Sequence, residues 1–312
     1  MHSHSLDQWT HDHVFLGAGH EQNERRTWFV VALTLAMMVG EIAAGSIFGS
    51  VALLADGWHM GTHAAALGIA ALAYLFARRQ ARNAHFAFGT GKFGDLAAFS
   101  SAIILGLVAV QIAWESAQRL LHPVPIAYGE AIAVATLGLC VNLASAWLLR
   151  GDHHHHGHTH SHDDHHHHDN NLRAAYVHVL ADAATSLLAI GALGVAMYSQ
   201  WVWADPAVGI VGSFVIASWA YGLIRDSGSV LLDVRADEDL EGVIRDRIET
   251  KGDRVTDLHL WQVGPGHCAA VISVVSDNPL PPATYKRRLG GLKRLCNVTV
   301  EVERCPHEAT AA

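Results

Sequence analysis

Between Val51 and Ala77 the chain runs for 27 residues with Asp56 as its one formally charged side chain, which leaves few places for it in a folded protein. At about 1.5 Å rise per residue, some 20 apolar residues on a helix cross the hydrocarbon core of a bilayer. Comparable runs follow the same logic at Thr27–Phe48, near Leu96–Ala117, near Ile126–Leu149, at Arg173–Tyr198 and near Trp203–Ile224. Six transmembrane helices are therefore expected within residues 25–224. Charged residues make up only 16% of the chain, which argues against an ordinary water-soluble protein.

Two of these runs carry groups that hydrocarbon does not tolerate alone. His59 and His63 are four apart and share one helix face. His178 and Asp182 repeat that spacing in the fifth run. Uncompensated polar side chains at mid-membrane cost roughly a few kcal/mol each, so two spans with the same ligand spacing imply a shared ligand. Three imidazoles and one carboxylate suit a divalent transition metal held between the two helices.

Charge sets the orientation. Arg25 and Arg26 precede the first run, and Arg78, Arg79, Arg82 and Lys92 fill the connector after the second. The opposite loops hold little basic charge beyond Arg119, so both termini are expected on the cytoplasmic side. No organelle signal is present, and a bacterial inner membrane is the expected compartment. The net charge of −8 comes with acidic residues clustered in 152–169 and 226–249, a pattern that gives no sign of nucleic-acid binding. Four scattered cysteines without a CxxC pair argue against a disulfide framework.

Two stretches are rich in histidine. Residues 1–24 hold His2, His4, His11, His13 and His20, and read as a weakly metal-binding tail. Residues 151–171 hold eleven histidines, among them His153–His156 and His165–His168, interrupted by Asp, Gly, Thr and Ser. This second tract has no helical period and nothing with which to build a core, and reads as a flexible cytoplasmic collector of metal.

From 225 to 312 the pattern turns soluble. A helix is expected over Asp237–Lys251, strands over Val255–Val263 and Ala269–Val275 about a Gly264-Pro265-Gly266 turn, a basic helix over Pro282–Leu295, and a last strand over Asn297–Glu303. This α-β-β-α-β order makes a small sheet covered on one face by helices. His259, His267, Cys268, Glu301, Glu303, Cys305 and His307 are candidate ligands there by chemistry alone.

With these residues in view, the chain resembles the cation diffusion facilitator family over roughly Arg26–Glu303. The resemblance rests on Gly49-Ser50-Val51-Ala52-Leu53-Leu54-Ala55-Asp56 running into His59, on Phe88-Gly89-Thr90-Gly91-Lys92, on Asp205-Pro206, on Leu231-Leu232-Asp233 and on Asp257-Leu258-His259-Leu260-Trp261. It implies a homodimeric, proton-coupled exporter of divalent metal with its transport site on spans two and five. It also implies a ferredoxin-like cytoplasmic domain, and pairing of Lys92 with Asp233 across the base of the dimer. The metal is expected as transported substrate, and no cofactor is expected.

His63 departs from the zinc-transporting pattern, in which an Asp holds that place. With the histidine tract, it looks like the DmeF-type cobalt/nickel efflux branch, so cobalt and nickel are favoured, with zinc close behind. Thr90 stands where some relatives place a connector histidine, which puts a second metal site there in doubt despite nearby His85. Other classes fare worse. Phe86 and Phe93 occupy the Gly and Ser/Thr positions that a phosphate loop ending in Gly91-Lys92 would need, and Met60-Gly61-Thr62 offers no catalytic Glu between His59 and His63. A membrane-tethered metal sensor is the alternative.

Overall fold

The computed structural model describes residues 20–48, 51–122, 128–149, 170–199, 203–234, 238–250 and 252–305. Six long helices come first: α1 His20–Phe48, α2 Val51–Arg79, α3 Phe93–Leu121, α4 Tyr128–Leu149, α5 Asn170–Ser199 and α6 Ala204–Leu231. At 22 to 30 residues each is roughly 33–45 Å long. Among the described residues, Phe93–Leu121, Ile132–Leu149 and Pro206–Leu231 are long and apolar enough to cross a membrane by length and composition. Several helices turn large apolar groups outward, including Leu107, Trp114, Trp147, Phe214 and Tyr221, each at least 64% exposed. An array of this kind suits lipid rather than water.

Helix α5 is the one around which the others pack. Its Ala175 and Val179 meet Val30 and Val31 of α1, Leu67, Ala70 and Ala71 of α2, and Ala146 and Leu149 of α4. On its other side, Ala181 packs with Leu105 and Ala109 of α3 and with Ile216 and Ala220 of α6. Ala174 joins Ala98, Ala102 and Leu223. Alanine recurs at these contacts because small side chains let backbones approach where no hydrophobic force separates helix from lipid. Gly209 marks the tightest approach: a Cβ there would overlap Ser116 Oγ and lie 3.2 Å from Ser116 Cβ.

A second compact unit comprises the connector 79–92 and the chain from Ser229 onward. It contains α7 Glu238–Ile248, β1 Arg254–Gly264, β2 His267–Ser276, α8 Pro282–Arg288 and β3 Leu295–Arg304. The sheet order is β1-β2-β3. β1 and β2 form an antiparallel hairpin, while β3 lies parallel to β2 after the crossover through α8. Leu240, Ile244 and Ile248 of α7, with Tyr285 and Leu289, cover one sheet face through Leu258, Leu260, Ile272, Val274 and Val300. Beneath that core, buried Asp253 accepts hydrogen bonds from Tyr285 Oη at 3.0 Å and Arg288 Nη1 at 2.8 Å.

The expected α-β-β-α-β order is present, with one change of length. The second helix ends at Arg288 rather than Leu295, because Gly290 and Gly291 follow and Gly291 takes φ +89°, a conformation that L side chains resist. The freed residues extend the last strand back to Leu295. In the connector, Phe88 meets Trp261 edge to face, with centroids 5.7 Å apart.

Candidate metal centre

The 3.6-residue period of α2 and α5 is what allows His63, His178 and Asp182 to meet. His63 is 3% exposed and His178 2%, and one ligand atom from each residue of the trio lies within 4.8 Å of the others. His63 Nδ1 is 2.7 Å from His178 Nε2 and 3.1 Å from Asp182 Oδ2. The imidazole rings stand edge to face with centroids 4.8 Å apart. Two ring nitrogens this close cannot both present lone pairs, so one N–H lies between them. The trio offers two nitrogens and an oxygen to one point, a donor set that suits a borderline divalent ion. His59 lies on α2 one turn before His63, and its side chain is outside the described residues.

The candidates of the C-terminal unit do not converge. Among the described residues, His63, His178 and Asp182 are the one grouping of three or more such side chains within reach of a common ion. Cys268 is 1% exposed in the helix-covered core, and its carbonyl accepts a hydrogen bond from Cys296 Sγ at 3.1 Å. Burial pushes the Cys296 thiol up to about 11, so it stays protonated at neutral pH and is no thiolate ligand. Cys268 pairs with Leu295 and Glu303 with Val275. Seven residues of β2 thus separate the His267–Cys268 end from the Glu303–Cys305 end, about 23 Å at the usual strand rise. Glu301 lies beside Ser273, and His259 Nε2 bonds Asp257 Oδ2 at 2.9 Å on the exposed side of β1. His307 and both histidine-rich stretches before α1 and α5, apart from His20, lie outside the described residues.

Lys92 and Asp233 pair within the chain. Asp233 reaches Lys92 from a left-handed turn, φ +54°, just after α6. Thr90 is buried and His85 exposed. Asn170 and Asn171, at the start of α5, read from the sequence as the polar end of the histidine tract. Their signal is the spacing of seven from Asn171 to His178, which puts both on one face of α5.

Residues 27–232 match the cation efflux transmembrane domain. The chain belongs to the cation diffusion facilitator family. It is 35% identical over 257 residues to the zinc transporter ZitB of Pectobacterium atrosepticum, spanning 81% of this chain and 75% of that protein. It is 30% identical to the metal cation efflux system protein CzcD of Cupriavidus metallidurans, across 95% of this chain and 93% of that one. A cadmium, cobalt and zinc/H(+)-K(+) antiporter of Bacillus velezensis is 28% identical across 95% and 93%. Members of this family are transporters and not enzymes, and this chain is a membrane transporter of cations. The preference for cobalt and nickel finds no support in these relatives: ZitB is named for zinc, and the antiporter for cadmium, cobalt and zinc. The physical reason is that an imidazole-rich set discriminates poorly: zinc accepts three histidines as readily as it accepts carboxylates.

Proposed function

We propose that this protein exports divalent transition-metal cations from the cytoplasm in exchange for protons, with zinc the first cargo and cobalt and cadmium alongside it. The buried meeting of His63, His178 and Asp182 between two apolar helices carries this reading. His59 completes a four-ligand tetrahedral set from the turn before His63. Nickel, which favours square or octahedral fields, suits such a set less well. The N–H held between His63 and His178 must leave the facing nitrogens when a cation takes them, and unperturbed imidazole titrates near 6.5, so protons and metal compete at one place.

In this reading the six long helices are six spans embedded in lipid, with both termini inside an inner membrane as the basic connector requires. The C-terminal unit is a ferredoxin-like domain with one strand fewer among its described residues. Its parallel β2–β3 pair joined by α8 supports that assignment. Homodimer formation rests on family resemblance. The sensor alternative has no such support among the relatives.

Purified protein in proteoliposomes, with an imposed pH gradient and Zn2+ outside, tests the proposal. Gradient-driven Zn2+ uptake that Asp182→Ala abolishes is expected. Stoichiometric Zn2+ binding without uptake would return the protein to the sensor class.

A further inference from the structure

Two of the contacts between α2 and α5 keep one register. His63 faces His178. Seven residues further along α2, the Ala70 carbonyl accepts a hydrogen bond from Asn171 Nδ2 at 2.9 Å, and Asn171 lies seven residues before His178. The helices therefore run antiparallel, and the two contacts are two turns, about 10.5 Å, apart. Asn171 is 0% exposed, so its amide has no water to fall back on. Neighbouring stitches fix the same region: Ser101 Oγ of α3 donates to the Ala66 carbonyl at 3.2 Å, and Asn170 Nδ2 donates to buried Asp95 Oδ1 of α3 at 2.7 Å.

A side chain that bonds one mid-helix carbonyl distinguishes registers in a way that alanine packing cannot. Ala66, Ala70, Ala71, Ala174 and Ala175 present smooth, nearly equivalent surfaces, whereas sliding α5 by a single residue moves Asn171 by about 1.5 Å and breaks the bond. Left unmade, the buried amide costs more than the bond contributes.

We infer that Asn171 is a positioning residue for metal binding: its bond to Ala70 holds α2 and α5 in the register that brings His63, His178 and Asp182 to one ion. Metal and latch select the same arrangement, so each strengthens the other. The metal site itself rests on the function proposed above.

The test uses Co2+ as a probe on the purified full-length protein, reading affinity and the visible d–d absorption of the bound ion. Wild type is expected to show a tetrahedral Co2+ band that Asp182→Ala loses. Identical spectra for those two proteins would overturn the metal site and, with it, the positioning role. Asn171→Ala and the size-matched Asn171→Leu are expected to bind Co2+ about five- to tenfold more weakly and to show an altered band. Either variant with the wild-type spectrum and affinity, whatever its melting temperature, would reduce Asn171 to ordinary packing and overturn the inference. Hydrogen exchange on the wild type gives a reading independent of variant folding. Co2+ should slow exchange across 66–74 if the latch and the site are linked, and unchanged exchange there would sink the linkage.

Discussion

His63 Nδ1 stands 2.7 Å from His178 Nε2, although 115 positions separate the two residues in the chain. With Asp182 Oδ2 at 3.1 Å from the same nitrogen, His63 is the hub of the trio, and the hydrogen held between the two ring nitrogens must be displaced when a cation takes them. Between about pH 5 and 8, where imidazole changes charge, binding should therefore weaken as pH falls. Zn2+ affinity of the purified protein measured across that range should show the slope. A flat profile would mean that protons and metal do not compete here.

Asp182→Ala removes the anionic member of the trio while leaving the helix with a good helix former. Loss of an outer-shell partner typically costs 10–100-fold in metal affinity, so loss of a direct ligand should cost about 100-fold or more. Transport should vanish with the protein still inserted and monodisperse. Undiminished Zn2+ uptake would remove Asp182 from the site.

His63→Asp replaces an imidazole with a harder, charged oxygen. Zinc accepts carboxylate in a tetrahedral site without ligand-field cost, so the zinc-to-cobalt transport ratio should rise several-fold when both ions compete in the same proteoliposomes. An unchanged ratio would show that residue 63 does not set selectivity.

If the tract serves only to raise the local metal concentration, deleting 153–168 should raise the apparent KM for Zn2+ a few-fold and leave the maximal rate alone. Loss of transport at saturating metal would instead make the tract part of the path.

Gly209→Ala places a methyl group against Ser116 at the crossing of α3 and α6. Overpacking of this kind costs about 1–3 kcal/mol, and a lower melting temperature in detergent should report it. The same change in a Ser116→Gly background should cost less, because the clashing hydroxyl and Cβ are gone. Equal costs in both backgrounds would show that the contact is not what excludes alanine.

Asp253 gives the C-terminal unit a pH dependence of its own. Burial by itself pushes the carboxyl up, but hydrogen bonds from Ser276, Arg288 and Tyr285 together with the Arg288 charge outweigh it and hold the group below the usual carboxylate range. Its stabilising contribution is therefore fully present above the unfolded value of about 3.9 and is lost as pH falls through the lower folded value. Asp253→Asn should lower the melting temperature at pH 7 and flatten the acid-side loss below pH 4, as followed by thermal melts at several pH values.

Hydrophobic run length, charge asymmetry and histidine spacing are local properties, and they were legible in the chain by itself. They yielded the helical stretches, the two helices whose histidines and aspartate meet and the α-β-β-α-β order of the tail, because bilayer thickness and helical period act on consecutive residues. The family was legible for the same reason, through short contiguous motifs. Contacts between distant residues were not. Periodicity placed His63 and His178 on faces of their own helices, but only packing around α5 turned those faces toward each other. It also set Asn171 under the Ala70 carbonyl and kept the tail's candidate ligands apart on opposite ends and faces of one sheet. Lys92 and Asp233 show the same limit: opposite charges announce that a pair can form, and the fold decides which two groups are near enough to form it.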